Sequence, residues 1–143
     1  MTNLFWNTVD PKLVAFGRSY LMGEDPNHAV KVDIYYTDPF IQEPLIADDI
    51  RMATAEEIAA MKVNVIQRGG RKKDFWDIHE LLEHNTLGQM IDLHRERYPH
   101  DHDEQVIRKK FTDFTRADDD LDPICLRGKY WEIIKLDILE LLS

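Results

Sequence analysis

The stretch "AAMKVNVIQRGGRKKDFWDIHELL", residues 59–82, decides how the second half of the chain folds. Apolar residues recur with the period of a helix before Gly69 and Gly70, and they do so again after this pair. Glycine commonly follows the last turn of a helix because it adopts left-handed backbone angles without strain. The stretch therefore predicts two helices joined by a tight turn, the second running from about 71 to 84.

The start of the first helix is marked by "TAEE" at Thr54. This pattern predicts a capping box, in which Thr54 accepts from the backbone of Glu57 and the Glu57 carboxylate reaches back.

Two charged side chains fall where the helical pattern expects apolar ones. Lys62 lies near the centre of the apolar arc of the first helix, and Asp74 lies inside that of the second, with Asp77 just beyond its edge. We expect Lys62 and Asp74 to meet across the helix pair. One interpretation is structural, a snorkelling lysine or an ion pair. The other is a site where the lysine holds a phosphate and the aspartate binds a metal or accepts a proton.

The second helix begins with three cations, Arg71, Lys72 and Lys73. Cations in a first turn oppose the helix dipole, whereas anions are favoured there. A bound phosphate would suit this turn, and a solvated basic turn is the alternative interpretation.

The first part of the chain predicts strands. Residues 13–23 and 29–36 are β-branched and aromatic and flank a turn-rich loop, which indicates a β-hairpin, with a helix opened by Asp10 and Pro11 as the alternative. Residues 50–54 read as a further short strand. The carboxylate of Asp33 lies on one face of the second hairpin strand, a position typical of a metal ligand in phosphoryl-transfer sheets and equally of an exposed residue.

Helical patterns fill the rest, at about 87–98, 103–114 and 129–142, with an acidic loop at 115–123. Strands followed by helices predict an α+β fold in one domain of residues 1–143, strand-rich over 1–54 and helical over 55–143.

Several weaker signals point to structural roles. In "HDHDE", residues 100–104, Asp101 or Asp103 is expected to cap the next helix. The segment "DDDLD", residues 118–122, lacks the glycine of a calcium loop, so calcium is not expected. His94 lies on an apolar face and is expected to be a satisfied core histidine.

Composition excludes some classes of protein. The net charge of -9 argues against a general nucleic-acid binder, because no broad basic surface is available for phosphates. The single cysteine, Cys125, excludes a disulfide framework and a cysteine metal cluster. The sequence shows no signal-peptide pattern and no apolar run long enough to span a membrane, so we expect a cytoplasmic protein without membrane association.

Four segments together resemble the AbiEii-type nucleotidyltransferases, the abortive-infection toxins of type IV toxin–antitoxin systems. They are "VKVDIYY" at 30–36, residues 50–82 with the specific block "AMK…RG…KKDFxD", "LHRERYP" at 93–99, and "FTDFTRADDD…WEIIKLDILELL" at 111–142.

The resemblance implies a nucleotidyltransferase fold of the DNA polymerase β type and metal-dependent transfer from a nucleoside triphosphate, with Mg²⁺ or alternatively Mn²⁺. Lys62 matches the family's motif lysine near the triphosphate, Asp74 is a candidate base with Asp77 second, and Asp33 is a candidate metal ligand. The basic residues implied to bind the nucleotide phosphates, with Lys62, are Arg68, Arg71, Lys72 and Lys73.

The family opens with a Gly-Ser turn and two acidic residues on a strand, and this sequence has Gly17-Arg18-Ser19 without such a pair after it. We therefore expect a nucleotidyltransferase-like remnant, an N-terminal β-hairpin or short sheet followed by a helical bundle, with little or no activity alone. Three interpretations of the protein stay open. The first is a split enzyme completed by a separate N-terminal fragment or a second copy. The second is a non-catalytic module that binds a nucleotide or an antitoxin, and the third is a structural homo-oligomer. RNA is an expected acceptor for an active form.

Overall fold

The structure, a computed structural model, describes residues 17–143 and, for the backbone alone, residues 5–8. The predicted residues 13–16 of the first hairpin strand, and the alternative helix at Asp10, lie outside this part. The strands are β1 (Phe5–Thr8), β2 (Gly17–Gly23), β3 (Val30–Tyr35), β4 (Leu45–Ala47) and β5 (Ile50–Met52). The helices are α1 (Ala55–Gln67), α2 (Lys72–Leu81), α3 (Leu87–Arg97), α4 (Glu104–Phe111), α5 (Thr115–Asp118) and α6 (Trp131–Leu142). The predicted α+β class is confirmed.

The chain divides into two compact units, residues 1–39 and residues 40–143. This boundary lies earlier than residue 54, where the secondary structure changes from strand to helix.

The first unit is an antiparallel sheet in the order β1, β2, β3. The predicted pairing of β2 with β3 is confirmed, with Ser19 opposite Asp33. Gly23 ends β2 at a close approach, because a Cβ there would lie 2.5 Å from the carbonyl oxygen of His28. The sheet thus fixes Asp33 on the strand next to Ser19.

The second unit begins with the hairpin of β4 and β5. Its two-residue turn, Asp48 and Asp49, has positive φ angles of 50° and 63°. Aspartate tolerates this left-handed region, and such turns match the twist of a hairpin. The hairpin leads directly into α1.

Helix α1 begins after Thr54 as predicted, but the predicted capping box is only half formed. Thr54 Oγ1 accepts a hydrogen bond of 3.2 Å from the backbone N–H of Glu57. The Glu57 carboxylate instead accepts from the backbone N–H groups of Ile41 and Gln42 and pairs with Arg97. The Glu57 and Arg97 side chains are 0% exposed, and a buried carboxylate is stabilised by a buried cation. The prediction that Glu57 closes the box is wrong for this reason.

The turn between α1 and α2 follows the glycine prediction. Gly69 has a φ of +94°, and a Cβ on Gly70 would lie 2.4 Å from Ile66 Cδ1. Both glycines are therefore required, one for its backbone angle and one for the space that Ile66 fills. The turn places the second half of α1 against the first half of α2.

The helices of the second unit enclose one apolar core. Its centre is aromatic: Trp76 stacks on Trp131 with ring centroids 6.1 Å apart, and Phe75 lies edge-on to Trp131 at 5.9 Å. The buried members of this core are Ala59, Val63, Ile66, Phe75, Trp76, Ile78, Leu87, Met90, Ile91, Ile107, Phe111, Phe114, Ala117, Trp131, Ile134 and Ile138.

The predicted helix at 103–114 ends early, at Phe111, and the predicted acidic loop begins with α5. Asp113 Oδ1 accepts from the backbone N–H of Thr115 and starts this short helix. Phe114 and Ala117 anchor it because both are buried in the core. The charge of the segment concealed this local apolar spacing.

Candidate functional site

Lys62 on α1 binds two carboxylates of α2. Its Nζ lies 3.0 Å from Asp74 Oδ1 and 2.6 Å from Asp77 Oδ2. The Lys62 and Asp74 contact is the one that the helical spacing predicts, and Asp77 joins it because it lies one turn after Asp74. This contact confirms the geometry and leaves the functional roles of the three residues as predictions.

Lys62 lies nearer to the surface than the pattern predicts. The buried face of α1 is centred on Ala59, Val63 and Ile66, so Lys62 is at its edge, not at its centre. The Lys62 side chain is 24% exposed, Asp74 is 7% exposed and Asp77 is 51% exposed. The ammonium group is therefore partly exposed and lies between a buried and an accessible carboxylate.

The charge state of Lys62 follows from its partners. Burial lowers the pKa of Lys62, but the hydrogen bonds that its ammonium donates to Asp77 and then Asp74 outweigh this effect, and the net pKa is raised. Lys62 is therefore a cation at neutral pH and does not act as a base. Such a lysine can attract an anion or neutralise its carboxylate partners.

The two carboxylates are engaged to different degrees. Asp74 uses both oxygens, because Oδ1 binds Lys62 and Oδ2 accepts a 3.0 Å hydrogen bond from the backbone N–H of Arg71. Asp74 thereby closes the first turn of α2. Within residues 17–143, Asp77 Oδ1 has no hydrogen-bond partner, so Asp77 presents a carboxylate oxygen that is accessible to a ligand.

The basic first turn of α2 contacts the acidic segment that precedes α6. The Asp120 carboxylate accepts from the Arg71 guanidinium at 3.1 Å and from the backbone N–H of Lys72 at 3.0 Å. Lys72 Nζ binds Asp122 at 2.9 Å, and its side chain is 7% exposed. The Arg71 hydrogen bond lowers the pKa of Asp120, so this carboxylate stays ionised. The helix N-terminus therefore holds an internal anion.

Sequence reasoning gave the acidic segment no role. A signal for it did exist, since a helix start with three cations and free N–H groups favours carboxylates, and a run of aspartates lies in the same chain. Asp118 extends the same pattern by accepting from the Trp131 indole and binding Lys135 at 2.9 Å. The segment connects α2 with α6 through charge.

The remaining basic candidates lie on the surface. Arg68 pairs with Asp101 at 3.2 Å, and both side chains are more than half exposed. Lys73 is exposed and has no ion-pair partner among the described residues. Surface pairs of this kind exchange readily for other anions because they contribute little stability. Arg68, Arg71 and Lys73 are therefore accessible, whereas Lys72 is held by the fold.

Asp33 belongs to the first unit and is bound within it. It accepts from the Ser19 hydroxyl at 2.5 Å and lies 3.1 Å from Lys31 Nζ. Within the part of the chain that the structure describes, no three potential metal-binding side chains of His, Cys, Asp or Glu come together. Divalent metals in phosphoryl transfer need several carboxylates at one point. The described residues, including Asp74 and Asp77 with a lysine between them, do not fit such an ion.

Two predicted structural roles are confirmed. Asp103 Oδ1 caps α4 by accepting from the backbone N–H of Val106 at 3.0 Å. His94 is fully buried and satisfied, with its Nδ1 2.8 Å from His102 Nδ1 and its Nε2 3.4 Å from Asn64 Oδ1. Burial lowers the pKa of His94 from 6.5 to about 4.

Comparison with known proteins identifies the family of the chain. Residues 7–141 match the family model described as nucleotidyl transferase AbiEii toxin, type IV toxin–antitoxin system. No curated protein and no solved structure gives a significant match. Over the described residues, no helix combines the length and the apolar character needed to cross a membrane. Because the match spans nearly the whole sequence, the chain belongs to the AbiEii nucleotidyltransferase toxin family of type IV toxin–antitoxin systems.

Proposed function

We propose that this chain binds a nucleoside triphosphate through Lys62 and takes part in nucleotidyl transfer in the cytoplasm, with an antitoxin as its regulatory partner. The observation that carries the proposal is the partly exposed Lys62 ammonium, charged at neutral pH, between one buried and one accessible carboxylate. Family membership supports the reaction class, and the local geometry supports the roles proposed for the residues.

Lys62 is suited to hold the triphosphate. Its ammonium has three N–H donors, of which two bind Asp74 and Asp77. The third donor and the exposed position leave it able to bind a phosphate oxygen. Lys73 has no competing partner among the described residues, and Arg71 and Arg68 can exchange their surface carboxylates for phosphate. Lys72 is buried and binds Asp122, so its role in the proposed site is structural.

Asp77 is better suited than Asp74 to accept the proton. In nucleotidyl transfer the acceptor hydroxyl oxygen bonds to the α-phosphorus, the bond to the β-phosphate bridge breaks, and pyrophosphate leaves. The hydroxyl proton would pass to the accessible Oδ1 of Asp77. Asp74 is buried and bound at both oxygens, so it orients Lys62 and Arg71.

The metal predicted from the family, Mg²⁺ or Mn²⁺, is not accounted for by the described carboxylates, and no step is assigned to it. Asp33 remains a candidate ligand that would need further carboxylates beside it, supplied by another fragment or a second copy. RNA remains the expected acceptor.

A non-catalytic nucleotide-binding module is the second candidate. It is favoured by the position of Lys62 between Asp74 and Asp77, because both carboxylates already neutralise a cation and are not a ready pair of metal ligands.

One experiment tests both candidates. The chain is incubated with labelled ATP, CTP, GTP or UTP, Mg²⁺ or Mn²⁺ and total RNA, and binding and label transfer are measured separately. Lys62→Ala should abolish binding, Lys62→Arg should restore part of it, and Lys109→Ala, an exposed lysine of α4 outside the site, should change nothing. Asp77→Asn should strengthen binding, because a competing charge is removed, and should abolish transfer.

The outcomes separate the hypotheses. Binding and transfer that both require Lys62 support the enzyme. Binding without transfer supports the module. Absence of binding in the wild-type chain, or equal binding by the Lys62→Ala variant, would show that the proposal is wrong. Thermal unfolding of each variant establishes that it is folded.

A further inference from the structure

The outer face of α6 is apolar although the helix already buries another face. Trp131, Ile134 and Ile138 enter the core, whereas Ile133 is 51% exposed and Leu136 is 61% exposed. A globular surface helix normally carries polar residues on its outer side. Exposed apolar residues at helical spacing therefore need an explanation beyond the fold of this unit.

This face continues into a groove between the end of α2 and α6. The groove has a volume of about 410 Å³. Leu82 and Leu141 provide its apolar walls, and Leu141 is 55% exposed. Glu83, Asp137 and Glu140 provide acidic groups around it. Because Asp137 lies one helical turn after Ile133, the apolar face and the groove form one surface.

Of the three acidic groups, Glu83 pairs with Arg127, whereas Asp137 and Glu140 pair with no lysine or arginine among the described residues. Asp137 binds only the imidazole Nε2 of His79, at 2.8 Å, and Glu140 pairs with no cation within residues 17–143. Lys129 also lines the groove, but its Nζ binds Glu80 at 2.7 Å and His79 Nδ1 at 2.9 Å, so it does not pair directly with Asp137 or Glu140.

Two electrostatic penalties follow. Asp137 and Glu140 are like charges three residues apart on one helix, which destabilises it. Both also lie toward the C-terminal end of α6, where the helix dipole favours cations, and its last turn contains no basic residue. A cation that docks here would relieve both penalties.

We propose that the outer face of α6 and the adjoining groove bind an amphipathic, basic helical segment of a partner protein. The apolar stripe of the partner would cover Ile133, Leu136 and Leu141. Its lysine or arginine side chains would reach Asp137 and Glu140 in the groove. This surface does not suit a second copy face to face, because two acidic faces would repel. The net charge of -9 adds to the attraction for a basic partner.

The test uses the full chain and designed peptides. The probe is a helical peptide with a leucine stripe flanked by lysines, and its matched peptides replace each lysine with glutamate or scramble the leucines. Fluorescence anisotropy at low and at raised NaCl measures binding. We expect the lysine peptide alone to bind, with an affinity that falls as salt rises.

Variants locate the binding surface. Asp137→Asn with Glu140→Gln should weaken binding at least about tenfold, the size expected for losing two charge contacts. Leu136→Ser should weaken it as well. Glu96→Gln, an exposed acidic residue of α3 without an ion pair within residues 17–143, is the matched control and should leave affinity unchanged. Equal binding by the double variant, equal binding of the scrambled peptide, or self-association of the wild-type chain that requires Leu136 would overturn the proposal.

Discussion

Acidification should destabilise this protein through His94. The residue is fully buried, and burial lowers its pKa from 6.5 to about 4. Its Nδ1 lies 2.8 Å from His102 Nδ1, and its Nε2 faces Asn64, so one arrangement of protons has His94 donating to Asn64 and accepting from His102. A second proton on His94 would break the bond to His102 and bury a charge. Of the titratable groups nearby, His102 and Arg68 lower this pKa further, and Asp101 raises it.

The sign and the size of the pH-dependent change in the free energy of unfolding follow from proton linkage. Because the folded-state pKa is depressed, the unfolded chain binds more protons between pH 6.5 and about 4, so stability falls as pH falls through this window. At 1.36 kcal/mol for each pKa unit, the full loss is about 3 kcal/mol. Between about pH 7 and about pH 5 the loss amounts to about 2 kcal/mol.

Urea unfolding of the wild-type chain and of His94→Gln at about pH 7 and about pH 5 measures this contribution. Carboxylates that also lose their ion pairs in acid are shared by both proteins and cancel in the difference. His100→Gln, which alters an exposed histidine, should retain the wild-type pH dependence. If His94→Gln loses as much stability on acidification as the wild type does, the reasoning is refuted.

Two further substitutions test the ionic contacts of the second unit. Glu57→Gln should lower the free energy of unfolding by about 3 kcal/mol, because it removes the buried carboxylate that pairs with the buried Arg97 guanidinium, while Glu96→Gln should change it by less than about 0.5 kcal/mol. Urea titration distinguishes these values, and equal stability of the two variants would contradict the role given to Glu57. Asp120→Ala should cost about 1 kcal/mol, because it removes the carboxylate at the start of α2, and Asp119→Ala is the neighbouring control. Equal midpoints for this second pair would show that Asp120 does not cap α2.

The sequence predicted features that depend on neighbouring residues. Thr54 begins α1, the Gly69-Gly70 pair ends it, and Asp103 caps α4, because each effect acts within one helical turn. The contact of Lys62 with Asp74 was also predictable, since a two-glycine turn leaves two adjacent helices few ways to face each other.

Long-range charge contacts were not predictable in the same way. Glu57 had a local partner available through the capping box, yet it binds Arg97, forty residues along the chain, because the core encloses both groups. Asp120 meets Arg71 from forty-nine residues away. A pattern read along one element specifies which residues face inward, but it does not specify which other element supplies their counter-charge.

The same distinction changes how the basic start of α2 is understood. The sequence of this turn alone does not distinguish Arg71, Lys72 and Lys73 as candidates for binding phosphate. Once Asp120 and Asp122 are placed, Lys72 has a structural role, Arg71 is a cation with an exchangeable partner, and Lys73 is the cation of the three without an ion-pair partner among the described residues. If phosphate binds at this turn, as we propose, Arg71 must exchange Asp120 for it, whereas Lys73 has no ion-pair partner among the described residues to exchange. Asp77 lies one turn after Lys73 on α2 and contacts Lys62 of α1, so the proposed phosphate-binding turn and the proposed proton acceptor lie on the same helix, one turn apart.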